Sequence, residues 1–283
     1  MLTSNPQLSS MQAPPDLEVL ITVHKQNIVL AFEKEKKFLH IKKYRYIFVG
    51  QGDVSEIKNI KNLIVARSYK DNIEDYKYFA DYTGWYALVK NDVLTSSYIA
   101  SLQYDTSIAD DFENETVAYI KQYPGHVIGY IPSSMSDGYF LYPECSEPLR
   151  QSILNVYGLD IYPLIKKYVS ESTDFRWQTS LCVAMPSEIL RQFVLWFEPL
   201  FEEMKNFTGA GHAVERAIKI FCIIHRIPSV YLEGIAQHFQ LNSHGTQKFQ
   251  IDHEKYLAHI AKNEFTARTV TSSHRLKKSI GLL

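Results

Sequence analysis

Residues 97–108 read Ser-Tyr-Ile-Ala-Ser-Leu-Gln-Tyr-Asp-Thr-Ser-Ile, and they are the most informative stretch of the chain. The segment is mostly apolar as far as Leu102, and the carboxylate of Asp105 follows with small hydroxyl residues just beyond it. In α/β proteins the ends of buried strands open into the crevice of the sheet, where ligands and metals bind. We therefore predict a buried strand that presents Asp105 at a binding site.

Earlier segments predict a β-α-β unit. Residues 17–23 and 46–49 are short runs rich in β-branched and aromatic residues, which favour strands. Residues 28–43 lie between them and carry apolar side chains at helical spacing. This order predicts parallel strands joined by a right-handed crossover. A third strand is expected at 63–65, and a helix over 73–93 in which Gly84 allows a close approach by a ligand or another backbone.

The second half of the chain mixes further strands and helices. Residues 177–184 predict a strand, and Ser187 is the expected N-cap of a helix over 189–207. A second apolar helix is expected over 212–225. Alternating strands and helices followed by mixed elements indicate one α/β domain.

Composition excludes several classes of protein. The 283 residues suit one large or two small domains, and a formal net charge of -1 gives no general attraction to nucleic acid or anionic membranes. The three widely spaced cysteines argue against a disulfide framework and a thiolate zinc site, so we expect a reducing, cytoplasmic location. No apolar run is long enough for a transmembrane segment. Residues 1–15 are polar and are expected to form a flexible tail.

Two nucleotide-binding motifs are missing from the sequence. No GxGxxG follows the first predicted strand, which disfavours a dinucleotide oxidoreductase, and no GxxxxGK[ST] indicates a P-loop. A methyltransferase would also need a glycine-rich loop after that strand, where residues 24–27 read His-Lys-Gln-Asn.

Three blocks of sequence resemble those of a known group of enzymes. Residues 75–91 read Asp-Tyr-Lys-Tyr-Phe-Ala-Asp-Tyr-Thr-Gly-Trp-Tyr-Ala-Leu-Val-Lys-Asn, just before the strand that precedes Asp105. Residues 176–200 combine a short strand with a helix that ends in Trp-Phe-Glu-Pro-Leu, and residues 211–216 place a Glu-Arg pair at a helix start. In order and spacing the blocks resemble bacterial capsular and exopolysaccharide glycosyltransferases, and also glycosyltransferases that large DNA viruses use on capsid glycans.

This resemblance implies a GT-A-like α/β fold: a Rossmann-type mixed, mainly parallel sheet flanked by helices in a single domain over residues 16–283. The nucleotide-sugar half would span about 16–130 and the acceptor half about 131–283. The implied reaction moves a sugar from a nucleoside diphosphate sugar to a hydroxyl of a glycan acceptor. The donor is expected to be a UDP-linked hexose or xylose, with Mn²⁺ or Mg²⁺ as cofactor. No nucleic-acid partner is expected, and peripheral membrane contact stays open.

The expected donor site lies at the strand ends. Gln103-Tyr104-Asp105 occupies the place where many sugar-nucleotide enzymes carry Asp-x-Asp, so Asp105 would hold the metal on the diphosphate, helped by His244. His238 is a weaker candidate for that second ligand. The residues expected to contact the nucleotide are Thr22, Val23, His24, Asp53, Asp81, Gln103 and Tyr104.

The expected acceptor site uses residues of the second half. Glu215 begins a helix whose dipole favours its ionised form, so it could act as the base of an inverting transfer, and Asp174 is a second candidate. Trp177, Thr179 and His212 are expected to contact the acceptor. The alternative for Glu215 is a structural pair with Arg216, and the alternative for Trp177 is a place in the core.

A second function fits the same residues. Gln103 stands where the first Asp of the pattern is expected, so the chain could be a non-catalytic glycan-binding protein that retains the fold. Metal-dependent binding of UDP distinguishes the enzyme from this alternative.

Overall fold

A central seven-stranded sheet organises the computed structural model, which describes residues 15–76, 78–79, 81–135 and 140–238. Its order is β10-β6-β9-β4-β1-β2-β3, and β9 is the strand that runs antiparallel to its neighbours. The strands are β1 (Leu17–Val23), β2 (Tyr44–Phe48), β3 (Leu63–Val65), β4 (Tyr98–Gln103), β5 (Thr106–Ile108), β6 (Val127–Gly129), β7 (Pro132–Ser134), β8 (Arg176–Gln178), β9 (Val183–Pro186), β10 (Ser229–Tyr231) and β11 (Ala236–His238). The mixed, mainly parallel sheet predicted from the sequence is confirmed.

Helices cover both faces of this sheet. They are α1 (Gln26–Lys34), α2 (Asp81–Lys90), α3 (Phe112–Gln122), α4 (Pro143–Tyr157), α5 (Ile161–Glu171), α6 (Ser187–Met204) and α7 (Ala210–His225). Successive residues of a strand point to opposite faces. Accordingly Leu20 of β1 packs into the core beneath α2, α4, α6 and α7, whereas Val19 and Ile21 pack into the core beneath α1 and α3. All seven residues of β1 are buried, as expected for a central parallel strand.

The chain direction around β1 creates a crevice. β1 pairs in parallel with β2 on one side and with β4 on the other, so the order of strands reverses at this point. Ligands of open α/β sheets bind outside the carboxyl ends of the strands at such a reversal. The first turn of α2 lies close to this edge because Gly84 packs directly on β2: a Cβ there would lie 2.8 Å from Cγ2 of Ile47.

Several predicted boundaries differ from the structure. The helix expected over 73–93 begins only at Asp81, and the one expected over 28–43 ends at Lys34. The strand expected over 177–184 is two strands in different sheets, since β8 pairs with β7 and β9 joins the main sheet. Ser180, with φ of +59°, turns the chain between them. Ser187 does not cap α6; its hydroxyl donates to the carbonyl of Ser96.

Among the described residues, no helix combines the length and apolar character needed to cross a bilayer.

Candidate active site

A cavity of about 370 Å³ opens at the reversal of strand order. Thr22 and His24 at the end of β1, and Gln103 and Tyr104 at the end of β4, form one wall. Residues 49–52 after β2, residues 74 and 76, and the first turn of α2 form the rest. The structure therefore brings together five of the predicted nucleotide contacts, which are Thr22, His24, Asp81, Gln103 and Tyr104.

The carboxylate of Asp81 is a buried acidic group in the wall of the cavity. Gln103 donates from Nε2 to Asp81 Oδ2 at 2.5 Å. Burial raises the pKa of Asp81 to about 6 against the hydrogen bond from Gln103, and the charges of Asp105 and Glu215 raise it further. Asp105 and Glu215, from other parts of the chain, therefore both act on Asp81. A glutamine at 103 gives Asp81 a donor where an aspartate would add a further negative charge.

This concentration of negative charge suits the binding of a divalent cation that is also coordinated by anionic groups of a ligand. No group of three or more His, Cys, Asp or Glu side chains within the described ranges could hold a metal ion alone. Mg²⁺, however, is commonly held by one or two carboxylates plus substrate phosphates. Asp105, the carboxylate that the sequence predicts for this role, follows directly after Tyr104, which lines the cavity.

His24 and Lys37 lie close to Asp105. The His24 ring packs edge-on against Tyr104, with centroids 4.9 Å apart. Burial lowers the pKa of His24, Lys25 lowers it further, and Asp105 opposes the change. Lys37 donates from Nζ to the carbonyl of Thr106 at 3.1 Å, and burial lowers its pKa to about 7 against the attraction of Asp105. Sequence reasoning missed Lys37, since it lies in the turn after α1.

Glu74 is a second missed residue, on the opposite wall of the cavity. The backbone N–H of Gly50 donates to Glu74 Oε2, and Arg67 donates to the carbonyls of Gly50 and Gly52 at 2.6 and 2.8 Å. Burial raises the pKa of Glu74, whereas the Gly50 N–H and the Arg67 charge favour its ionised form. Glu74 Oε1 is buried and has no hydrogen-bond partner among the described residues. This oxygen can accept a hydrogen bond from a ligand.

Two predicted nucleotide contacts lie elsewhere. Asp53 is exposed beyond the cavity wall, where its carboxylate accepts hydrogen bonds from Ser55 and Gln26. The side chain of Val23 is fully buried in the core beneath α1. At Val23, only the backbone groups could contact a ligand.

Two predicted acceptor contacts are also in the interior. Trp177 is fully buried, its ring packs against Phe140, and the Arg216 guanidinium lies 5.3 Å from its centroid. Thr179 is buried and donates its hydroxyl hydrogen bond to the carbonyl of Ile131. Neither side chain is open to a sugar in this structure, as the core alternative for Trp177 anticipates.

The two candidate bases have different surroundings. Asp174 forms an ion pair with Arg176 at 2.7 Å, and this partner lowers the pKa of Asp174. A carboxylate held in this way is a weak base. Glu215 lies on α7, where Oε2 is 3.6 Å from Nδ1 of His212.

The candidate second metal ligand, His244, lies outside the described residues. The chain does return to the Asp105 edge before that point, because β11 pairs antiparallel with β5 and places His238 opposite Thr106.

Comparison with solved structures identifies the fold. An apo structure of WbbM, a bifunctional glycosyltransferase, aligns with 79% of this chain at 13% identity and a TM-score of 0.53, and the alignment covers 45% of WbbM. The fold is GT-A-like. This chain thus spans less than half the length of that neighbour.

Looser matches are to glucosyl-3-phosphoglycerate synthase from Mycobacterium tuberculosis. Its complex with Mn²⁺ and UDP-glucose gives 10% identity and a TM-score of 0.38, and its complex with Mg²⁺ and UDP gives 8% and 0.39. Each alignment covers 80% of this chain and 72% of the synthase. No protein-family model and no curated protein matches the sequence.

Proposed function

We propose that this protein is a glycosyltransferase that moves a sugar from a nucleoside diphosphate sugar to a hydroxyl of a glycan acceptor. The observation that carries the proposal is the cavity at the strand reversal of a GT-A-like sheet, which is lined by Asp81, Gln103 and Tyr104, the residue before Asp105. The donor is a UDP-linked hexose or pentose, and the protein acts in the cytoplasm.

Different residues of the cavity contact different parts of the donor. The loop 49–52 and Glu74 face the nucleoside, and Thr22 and the end of β4 face the ribose and diphosphate. Asp105 would hold Mn²⁺ or Mg²⁺, with His244 or His238 as a further ligand. The bound metal supplies positive charge that stabilises the leaving diphosphate. Lys37, beside Asp105, fixes the turn that carries this carboxylate through its bond to Thr106.

Release of UDP from UDP-sugars tests the proposal. Purified protein with Mn²⁺ should release UDP from at least one UDP-hexose or UDP-pentose, and Asp105→Ala should abolish the release. Asp110→Ala, which removes an exposed carboxylate from the same stretch of chain, is the matched control and should retain it. Absence of release from every donor, together with absence of UDP binding, would reject the proposal. UDP binding without release would favour the non-catalytic glycan-binding protein.

A further inference from the structure

A separate cavity, of about 460 Å³, lies between α5, the last turns of α7 and the start of β10. Its volume is typical of sites for small molecules. This α5–α7 cavity shares no lining residue with the cavity at the strand reversal. Three cationic side chains line it, which are Lys167, Lys219 and Arg226. The cavity is therefore a second place at which the protein can hold a ligand, and its charge is the first indication of which ligand.

Lys219 is a buried lysine in the wall of the α5–α7 cavity, with an exposed fraction of 2%. Its Nζ donates to the hydroxyls of Tyr168 and Tyr231, at 3.2 and 3.3 Å. Those hydroxyls donate in turn to the backbone carbonyls of Asp174 and Arg176. An ammonium group has three N–H donors. Within the part of the chain that the structure describes, the third donor of Lys219 has no acceptor.

The positive charge of Lys219 has no direct counter-ion in the described ranges. Its nearest link to a carboxylate is electrostatic: Arg176 chiefly lowers the pKa of Asp174, and Lys219 lowers it further. Asp174 is already paired with Arg176 at 2.7 Å. A buried charge is costly unless a counter-ion and hydrogen bonds compensate it. An anion in the α5–α7 cavity would supply the missing counter-ion and the missing acceptor together.

The other charges of the lining favour a dianion. Lys167 and Arg226 are exposed cations, and Glu171 is the acidic side chain of the lining, so three positive charges stand against one negative charge. Burial raises the pKa of the Cys222 thiol to about 11, so this side chain is neutral near pH 7. A phosphate monoester carries nearly two negative charges at that pH. Its charge therefore matches the net charge of +2 in the lining.

Ser229 adds a hydroxyl to the same wall. It begins β10 and lines the cavity. Its Oγ is buried and has no oxygen or nitrogen partner among the described residues. Phosphate oxygens are strong acceptors for hydroxyl and ammonium donors. Ser229 and Lys219 therefore provide a neutral donor and a charged donor for one phosphate group.

The ends of α5 and α7 act against an anion, because a helix C-terminus carries partial negative charge. Backbone hydrogen bonds reduce this charge. The N–H of Ser172 donates to the Tyr168 carbonyl of α5 at 2.9 Å, and the N–H of Ile227 donates to the Cys222 carbonyl of α7 at 2.8 Å. The effect also falls off within the last turn of a helix, whereas Lys219 lies more than one turn before the end of α7. The ammonium therefore outweighs the helix ends at the position of Lys219.

We propose that the α5–α7 cavity binds the phosphate monoester of a small soluble molecule. Lys219 and the Ser229 hydroxyl donate to the phosphate oxygens, and Lys167 and Arg226 add positive charge on the exposed side. Half-buried apolar side chains of the lining contact the carbon skeleton, and these are Leu164, Ile223 and Ile227. The proposal adds a site to the protein and does not depend on the reaction at the first cavity.

Calorimetric titration with glucose 6-phosphate, ribose 5-phosphate and inorganic phosphate tests this site. We expect at least one of the two monoesters to bind more tightly than inorganic phosphate, because the apolar lining contacts its carbon skeleton. Lys219→Met keeps most of the apolar stem and removes the charge, so it should weaken that binding about 10- to 100-fold. Absence of monoester binding to the wild type, inorganic phosphate binding as tightly as both monoesters, or equal binding to Lys219→Met would overturn the proposal.

Two neighbouring lysines of α5 provide a test that does not alter the interior. Lys167→Met removes an exposed cation from the lining and should weaken monoester binding about 2- to 5-fold. Lys166→Met removes an exposed lysine that does not line the cavity and should leave the binding unchanged. Equal effects of the two substitutions would overturn the proposal, even if Lys219→Met proves to be unfolded in circular dichroism.

Competition with UDP separates the two cavities. Saturating UDP with Mn²⁺ should not displace the monoester, because the cavities share no lining residue. Displacement by UDP would place the monoester in the first cavity, which rejects the second site while the proposed function stands. Absence of UDP binding would reject the proposed function instead, and the lysine substitutions would still decide whether the α5–α7 cavity binds a phosphate monoester.

Discussion

Replacing Asp81 by Asn should stabilise the fold at alkaline pH while it weakens donor binding. The pKa of Asp81 rises from 3.8 to about 6 on folding, chiefly because the carboxylate is buried. A group whose folded pKa is raised destabilises the folded state above that pKa, and the penalty disappears below the unfolded pKa. Each pKa unit corresponds to about 1.4 kcal/mol, so the ionised carboxylate costs about 3 kcal/mol above pH 6.

Asparagine keeps an oxygen that can accept the hydrogen bond from Gln103 Nε2, so most of this penalty should be recovered. We expect Asp81→Asn to raise the free energy of unfolding by about 2 kcal/mol at pH 8 and by about zero at pH 4. Chemical denaturation at the two pH values measures both. Asp53→Asn is the control, because Asp53 is exposed and its pKa is lowered by hydrogen bonds from Ser55; it should give no gain. An equal gain at both pH values, or none at pH 8, would refute the reasoning.

Three other substitutions test separate parts of the structure. Glu74→Gln should weaken UDP binding about 10-fold and raise CDP binding to a similar level, because an amide can donate a hydrogen bond where Oε1 only accepts one. Calorimetry measures both affinities. An unchanged preference for UDP over CDP would show that Glu74 does not contact the pyrimidine base. Gly84→Ala should cost about 1–3 kcal/mol in denaturation experiments, because its Cβ would lie 2.8 Å from Ile47; a neutral effect would contradict the tight packing. Gln103→Glu should cost about 2–4 kcal/mol at pH 8 and less at pH 5, because it places a second carboxylate against Asp81; equal stability at pH 8 would contradict this.

The strands at the centre of the sheet could be predicted from the sequence. Residues 17–23 are the bounds of β1, and residues 63–65 are those of β3. Strands buried on both faces read as continuous apolar runs, which are the strongest local signal in an α/β protein. The apolar run at 177–184 predicts one strand where the structure has two. The pattern of apolar residues does not reveal the turn at Ser180, which separates β8 and β9 into different sheets.

The candidate site could be predicted mainly where residues end a strand, and Asp81 at the start of α2 is the exception. Thr22, His24 and Gln103 line the cavity because β1 and β4 are adjacent and parallel. Glu74 and Lys37 lie in turns, and long-range contacts with Gly50 and Thr106 place them, so no local pattern indicates them.

The aromatic residues in the blocks that resemble glycosyltransferases also could not be assigned to the site from the sequence. Trp177 matches a block of sequence, yet it packs on Phe140 and Arg216 in the interior. A large aromatic side chain fits a sugar and a core equally well, and only the packing of the helices around it decides between them.

Calorimetric titration of UDP, with and without Mn²⁺, on the wild type and Asp105→Ala tests the donor site most directly. We predict that the wild type binds UDP in a manner that depends on Mn²⁺ and that Asp105→Ala loses this dependence. UDP binding that does not depend on Mn²⁺, or a dependence on Mn²⁺ that persists in Asp105→Ala, would contradict the metal role of Asp105. Absence of UDP binding under all conditions would contradict the donor site itself.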